Sequence, residues 1–135
     1  MNEQQYNILG IGTDIIEIER IAMAISRHGD RFLNRIFTPK EQEYAFRHHA
    51  QSTATFAGRF AAKEAISKAL GTGIREGVSW KSIEILNDSF GKPIVHLSNT
   101  LIITNREIQQ LQILLSISHC KMYATAFAVC TQIIN

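Results

Sequence analysis

The chain has 135 residues, 45% of them hydrophobic, and its formal net charge is +2. These values predict one domain over residues 1–135 with a substantial core, in which residues 1–7 form a polar extension. The small net charge argues against nucleic-acid binding, and no apolar run approaches the ~20 residues of a membrane span. Two cysteines do not make a disulfide scaffold, so we expect a cytoplasmic protein.

The first predicted strand covers residues 8–15 and leads to an aspartate. Alternation places Gly10, Gly12 and Asp14 on one face of this strand. Because glycine weakens a strand unless close approach requires it, another element should pack against the backbone there. Asp14 then has two interpretations, either a functional acid or the N-cap of the next helix.

An amphipathic helix follows, with Ile18, Ile21, Ala22 and Ile25 at core-facing spacing. Its opposite side and the segment just beyond it are basic. We predict that this side docks an acidic partner, and the alternative for any single arginine is an ordinary solvated surface. The predicted partner-binding residues are Arg20, Met23, Arg27, Arg31 and Arg35.

Two further helices are predicted before residue 71. Thr38, Pro39 and Glu41 match a capping box with proline at the first position, which starts a helix that runs to about residue 49. His48 and His49 are adjacent and therefore point apart on a helix, which argues against a metal site. The next helix, over about residues 53–70, is apolar all the way round and should be largely buried.

This long helix carries an acid and a lysine one turn apart. Glu64 and Lys68 form either an exposed i,i+4 ion pair or a functional set, with Glu64 as metal ligand or base and Lys68 as phosphate clamp. The residues that follow, Gly71, Thr72 and Gly73, either only end the helix or turn their N–H groups toward an anion. Arg59 and Lys63 nearby favour the anion site.

The C-terminal half is predicted to be mainly strands. A hairpin over residues 82–86 and 93–97 precedes a short helix over 98–110 and a second hairpin over 112–118 and 123–131. His119 ends an apolar strand at the sheet edge. The alanine face of the last strand should receive a closely packed helix, or lie near a threefold axis if the chain is trimeric. The order predicts an α+β fold, with a mostly antiparallel sheet packed against a long central helix.

Several separated motifs resemble one family. Residues 10–21, 59–65 and 68–73 are similar to bacterial holo-acyl-carrier-protein synthases, the single-module type of 4′-phosphopantetheinyl transferase. Residues 91–93 and 116–119 also fall where that family has similar motifs. The resemblance spans residues 8–129, and the motifs occur in the right order. The segment over residues 120–122 departs from the pattern.

The resemblance implies a reaction and its site. Family members move the 4′-phosphopantetheine arm of coenzyme A to a serine of apo acyl carrier protein, release adenosine 3′,5′-bisphosphate, use Mg²⁺ and form homotrimers with active sites at subunit junctions. It implies metal ligands at Asp14 and Glu64, a position near the coenzyme A phosphates for Lys68, and a carrier-protein contact at Arg20. His119 lies in the motif that helps to bind the coenzyme, and the expected catalytic residues are Glu64 and Lys68. The expected coenzyme-binding residues are Arg59, Lys63, Lys68, Gly71, Thr72, Gly73, Ser118 and His119.

The chemistry requires oxygen ligands for the metal and a base for the serine. An aspartate from a strand and a glutamate from a helix meet the first need. The residues leave open whether Glu64 or a metal-held water takes the serine proton. They also leave two other functions: a non-catalytic coenzyme A or nucleotide-binding module, which does not need Asp14 and Glu64, and a trimeric interaction protein, which explains neither acid.

Overall fold

The computed structural model describes residues 3, 5–74, 78–98 and 111–134. Along these residues it has the expected α+β composition. The helices are α1 (Ile18–His28), α2 (Asp30–Ile36), α3 (Pro39–Arg47) and α4 (Ser52–Leu70), with short 3-10 helices at His49–Gln51 and Trp80–Ser82. The strands are β1 (Gln5–Glu17), β2 (Ile83–Asn87), β3 (Pro93–Leu97), β4 (Leu111–His119) and β5 (Tyr123–Ile134).

The strands form two antiparallel units. One sheet has the order β1-β5-β4, and β2 and β3 form a separate hairpin. Strand β1 is longer than expected, because Gln5, Tyr6 and Asn7 already pair with the end of β5. These three residues are therefore part of the sheet and not of a polar extension. A register shift between Ile8 and Gly10 interrupts the alternation that the sequence suggested for the whole strand.

Helix α4 lies directly on the backbone of β1. A Cβ atom added to Gly12 would be 1.9 Å from the carbonyl oxygen of Ala65, and one added to Gly10 would be 2.2 Å from that of Ala69. The two glycines therefore allow a helix–strand approach that any side chain would prevent. Ala124, Ala126 and Ala128 of β5 are buried against the same core, so the alanine face receives the helix as expected.

The other face of the three-stranded sheet is apolar and exposed in the single chain. Ile11 and Ile15 of β1 are 62% and 67% exposed, and Phe127 of β5 is 47% exposed. Tyr123 on β5 and Leu114 on β4 are also among the exposed large side chains. Monomeric proteins rarely leave a contiguous apolar patch of this kind uncovered.

The predicted helix boundaries mostly agree with the structure. Thr38 and Glu41 form the capping box of α3, but this helix ends at Arg47. Asp14 does not cap α1, because it lies within β1, and the N-cap is Glu17. Most of the helix expected over 98–110 lies outside the described residues. No helix in the described ranges is long and apolar enough to cross a membrane.

Candidate active site at the edge of the central helix

Three of the expected functional residues meet on the open side of α4 beside β1. The ammonium nitrogen of Lys68 lies 3.1 Å from Oδ1 of Asp14 and donates to the main-chain oxygen of Thr13 at 2.9 Å. Lys68 thus pairs with an acid 54 residues away in the chain. The structure contains no close Lys68–Glu64 ion pair, so the simple i,i+4 interpretation of the helix is wrong.

The carboxyl group of Glu64 shares this environment with Asp14. Partial burial raises the pKa of Glu64 above its usual value, the negative charge of Asp14 raises it further, and Lys68 opposes the shift. A carboxyl group whose ionised form is disfavoured by a neighbouring carboxylate is placed where a cation would stabilise it. The described residues contain no cluster of three or more His, Cys, Asp or Glu side chains. Two carboxylates are nevertheless a donor set that fits Mg²⁺, which takes one or two protein carboxylates and completes its shell with water and phosphate.

The glycine turn after α4 is a helix stop. Gly71 has φ of 85°, and its N–H bonds the main-chain oxygen of Lys68. The N–H groups of Thr72 and Gly73 both donate to the oxygen of Ser67 at 3.1 Å. All three donors are used to close the helix, so the expectation that they face an anion is not met in this structure.

Lys63 has a different environment from the one expected. Its side chain is fully buried, and its ammonium group donates to Glu41 at 2.7 Å, to the Ile36 oxygen at 2.8 Å and to the Trp80 oxygen at 2.9 Å. All three N–H donors are used inside the fold. The expected contact between Lys63 and the coenzyme therefore does not fit this geometry, because no donor faces solvent.

A cleft of about 670 Å³ lies between α3, α4, the β2–β3 hairpin and β4. Arg59 and His119, two of the expected coenzyme residues, both line it. Residues that sequence reasoning missed are Tyr44 and Asn87. Gly91 and Pro93 of the 91–93 motif also line it, whereas the neighbouring expected residue Ser118 does not.

Arg59 is the charged group in the wall of this cleft. Only 5% of the residue is exposed, its guanidinium stacks 4.4 Å from the centre of the Tyr44 ring, and it donates to Asn87 Oδ1. Its Nε is buried and bonds no acceptor in the described part of the chain. Burial lowers the pKa of Arg59. Arg59 therefore brings a buried positive charge to the wall of the cleft.

The basic residues near the N-terminus form an exposed surface on α1 and α2. Arg20, Met23 and Arg27 lie exposed on α1, and Arg31 and Arg35 lie exposed on α2. A shallow cavity of about 230 Å³ is lined by the last two arginines together with His28 and Phe32. The sequence placed the arginines near one another, and the structure adds the turn at Gly29 that joins the two helices.

Comparison with known proteins gives a consistent result. The family model described as the 4′-phosphopantetheinyl transferase superfamily matches residues 10–128. A holo-[acyl-carrier-protein] synthase from Protochlamydia amoebophila is 54% identical over 121 residues, covering 90% of this chain and 96% of that protein.

Solved structures show the same similarity. A holo-(acyl-carrier-protein) synthase from Bacillus anthracis in complex with CoA (3′,5′-ADP) superimposes with a TM-score of 0.77 at 43% identity, over 93% of this chain and 97% of that one. The Helicobacter pylori synthase in complex with coenzyme A gives a TM-score of 0.74 at 32% identity, over 89% of this chain and 98% of that one.

Proposed function

The chain belongs to the 4′-phosphopantetheinyl transferase superfamily, and from this premise we propose how its residues carry the reaction. The protein transfers the 4′-phosphopantetheine group from coenzyme A to a serine of apo acyl carrier protein, leaving adenosine 3′,5′-bisphosphate. The observation that carries the proposal for the site is the convergence of Asp14, Glu64 and Lys68 on the open side of α4.

Asp14 and Glu64 hold Mg²⁺ in this proposal. When bound, the ion neutralises charge on the pyrophosphate and so assists departure of the nucleotide. Lys68 is half exposed and lies beside Asp14, and in this proposal its positive charge stabilises the phosphates of coenzyme A. The acids favour a transferase over a passive coenzyme-binding module, because two partly desolvated carboxylates would repel an anionic ligand unless a cation joined them.

Glu64 also takes the proton of the attacking serine. In the absence of a metal, burial and the charge of Asp14 raise the pKa of Glu64, so its carboxylate accepts a proton more readily than that of an ordinary glutamate. Glu64→Gln should therefore lose most turnover even at a magnesium concentration that saturates the variant. Full turnover in a variant that binds the metal normally would assign the proton to a water instead.

The nucleotide end of coenzyme A occupies the cleft that contains Arg59 and His119. This assignment is supported by the cleft volume and by the positive charge that Arg59 brings to the cleft wall. The exposed arginines of α1 and α2 dock the acidic carrier protein. Opposite charge at such a surface mainly speeds encounter and sets orientation.

In this proposal the protein assembles as a homotrimer. The exposed apolar face of the β1-β5-β4 sheet, with Ile11, Ile15 and Phe127, is the surface that copies of the chain would bury against one another. We place the protein in a reducing cytoplasm, in agreement with the free thiols of Cys120 and Cys130. Cys120 is exposed and would be vulnerable in an oxidising compartment.

The test of the function is a mass measurement on the acceptor. Incubation with apo acyl carrier protein, coenzyme A and Mg²⁺ should add the phosphopantetheine mass to the carrier protein. Asp14→Asn should abolish this shift, and Lys40→Gln, an exposed substitution in the first turn of α3, serves as the comparison for a changed charge outside the expected site residues. A shift that persists in Asp14→Asn at limiting Mg²⁺ would contradict the metal assignment.

A further inference from the structure

The buried ion pair between Lys63 and Glu41 is the part of the molecule that the reaction leaves unexplained. Both side chains are completely buried, and the Nζ to Oε1 distance is 2.7 Å. Lys63 directly precedes Glu64 in α4. A buried charge pair is weak evidence for stability, since its desolvation offsets much of the attraction, but such pairs can specify one arrangement among several.

The polar atoms of this pair bond several parts of the fold. Lys63 reaches the last residue of α2, the carboxylate of α3 and the main chain of Trp80. The carboxylate of Glu41 also accepts from the N–H groups of Thr38 at 2.8 Å and Ile85 at 2.9 Å. The pair therefore connects α4 with α2, α3 and the beginning of the β2–β3 hairpin.

Apart from the close contact of Ala65 and Ala69 with the glycines of β1, apolar packing specifies the rotation of α4 about its axis only weakly. Small or apolar buried residues occur on several sides of this helix, from Ala57 and Ala61 to Ile66 and Ala69. Outside that contact, the absence of a dominant apolar stripe leaves little apolar restraint on the rotation of the helix. Directional hydrogen bonds to three fixed acceptors remove that freedom, because each acceptor tolerates only a narrow range of angles.

We propose that Lys63 and Glu41 are positioning residues, which hold α4 in the rotation that turns Glu64 toward Asp14. Consecutive side chains on a helix are separated by ~100°, so restraint of Lys63 on its polar anchor sets the direction of Glu64. The inference rests on the proposed metal site at Asp14 and Glu64. In this inference the buried pair lies outside the metal site but orients Glu64, one of the two metal ligands.

The test compares Mn²⁺ binding with folding. Mn²⁺ affinity is measured by the loss of the free-ion electron paramagnetic resonance signal, with coenzyme A present and carrier protein absent, so no turnover occurs. Lys63→Met should weaken Mn²⁺ binding by about tenfold or more, the usual effect of removing a group that orients a metal ligand. Coenzyme A affinity measured without metal should change much less.

Ile66→Ala is the matched control on the same helix. Ile66 is fully buried but makes no polar contact with the pair, so this variant loses unfolding free energy without releasing the anchor. It should bind Mn²⁺ as the wild type does at a temperature where circular dichroism shows it folded. Weakening of equal size in Ile66→Ala and Lys63→Met would overturn the inference, because general loosening would then explain both.

Glu41→Asp is a second variant, for the case in which Lys63→Met does not fold. It keeps the negative charge and shortens the side chain that bonds Lys63 by one methylene. A folded Glu41→Asp protein should show weakened Mn²⁺ binding, and wild-type affinity would overturn the inference. The wild-type measurement tests the premise separately. A wild-type protein that binds no Mn²⁺, or that binds it as well after Asp14→Asn, would overturn the proposed metal site itself.

Discussion

Replacement of Gly12 by alanine tests the contact on which the site is built. The new Cβ would lie 1.9 Å from the carbonyl oxygen of Ala65 and 2.8 Å from the main-chain nitrogen of Ala69. Both neighbours are backbone atoms of a helix and cannot rotate away. To restore an ordinary separation, α4 would have to move from β1 by about 1.5 Å.

The expected loss of unfolding free energy follows from this displacement. Overpacking of a core typically costs ~1–3 kcal/mol, and here the movement also strips contacts along much of α4, so we expect ~3 kcal/mol for Gly12→Ala. For a chain of this length such a loss lowers the thermal midpoint by roughly 10 °C. Because the movement separates Glu64 from Asp14, turnover should fall by ~100-fold even where the variant is folded.

Gly58→Ala is the comparison for this prediction. Its new Cβ would meet only the Cγ2 atom of Ile117, at 2.9 Å, and that atom ends a flexible side chain. Alanine also favours a helix interior over glycine by ~1 kcal/mol, which offsets the crowding. Urea unfolding should therefore separate the two variants clearly. A Gly12→Ala protein as stable as Gly58→Ala would refute the reasoning about the close approach.

Four other substitutions test separate parts of the molecule. Arg59→Gln should weaken coenzyme A binding by ~10- to 100-fold in titration calorimetry, since a charged hydrogen-bonding group is lost, and unchanged affinity would contradict the cleft assignment. Phe127→Arg should yield monomers in ultracentrifugation, whereas Phe90→Arg at the 95% exposed hairpin tip should not, and a trimer that survives the first change would exclude the sheet face as the interface. Arg20→Glu should raise the KM for carrier protein several-fold and leave that for coenzyme A unchanged, and an equal rise in both would argue against docking. Without metal, Glu64→Gln should gain stability over the wild type as pH rises above the usual glutamate pKa, because the raised pKa in the folded state makes ionisation of Glu64 unfavourable there. A stability difference that does not change with pH would contradict that shift.

Local patterns in the sequence were sufficient to predict much of the fold and to single out Asp14 and Glu64 as candidate metal ligands. The Thr38–Glu41 capping box starts α3, and the two glycines before Asp14 mark the place where another element packs on β1. Both features depend on residues within a few positions of one another, so short-range stereochemistry determines them. The family motifs carry Asp14 and Glu64 for the same reason, since each lies inside a contiguous segment.

Only the tertiary structure decided which group each charged side chain contacts. The sequence predicted that Lys63 and Lys68, on one helix, both contact the coenzyme. In the structure Lys63 is buried and donates to Glu41, 22 residues away, and Lys68 donates to Asp14, 54 residues away. The donors of Gly71, Thr72 and Gly73 close the helix, while the cleft around Arg59 is made by elements distant in the chain.

The physical reason lies in the range of the interactions. Helical periodicity gives the direction of a side chain relative to its own helix, but not the surface that lies opposite it. Whether a lysine is solvated, paired or available to a phosphate depends on that surface, and thus on how α4 packs against β1, α3 and the β2–β3 hairpin. The sequence by itself determined the chemical groups of this protein, and the packing of its elements determined which of them remain free to act.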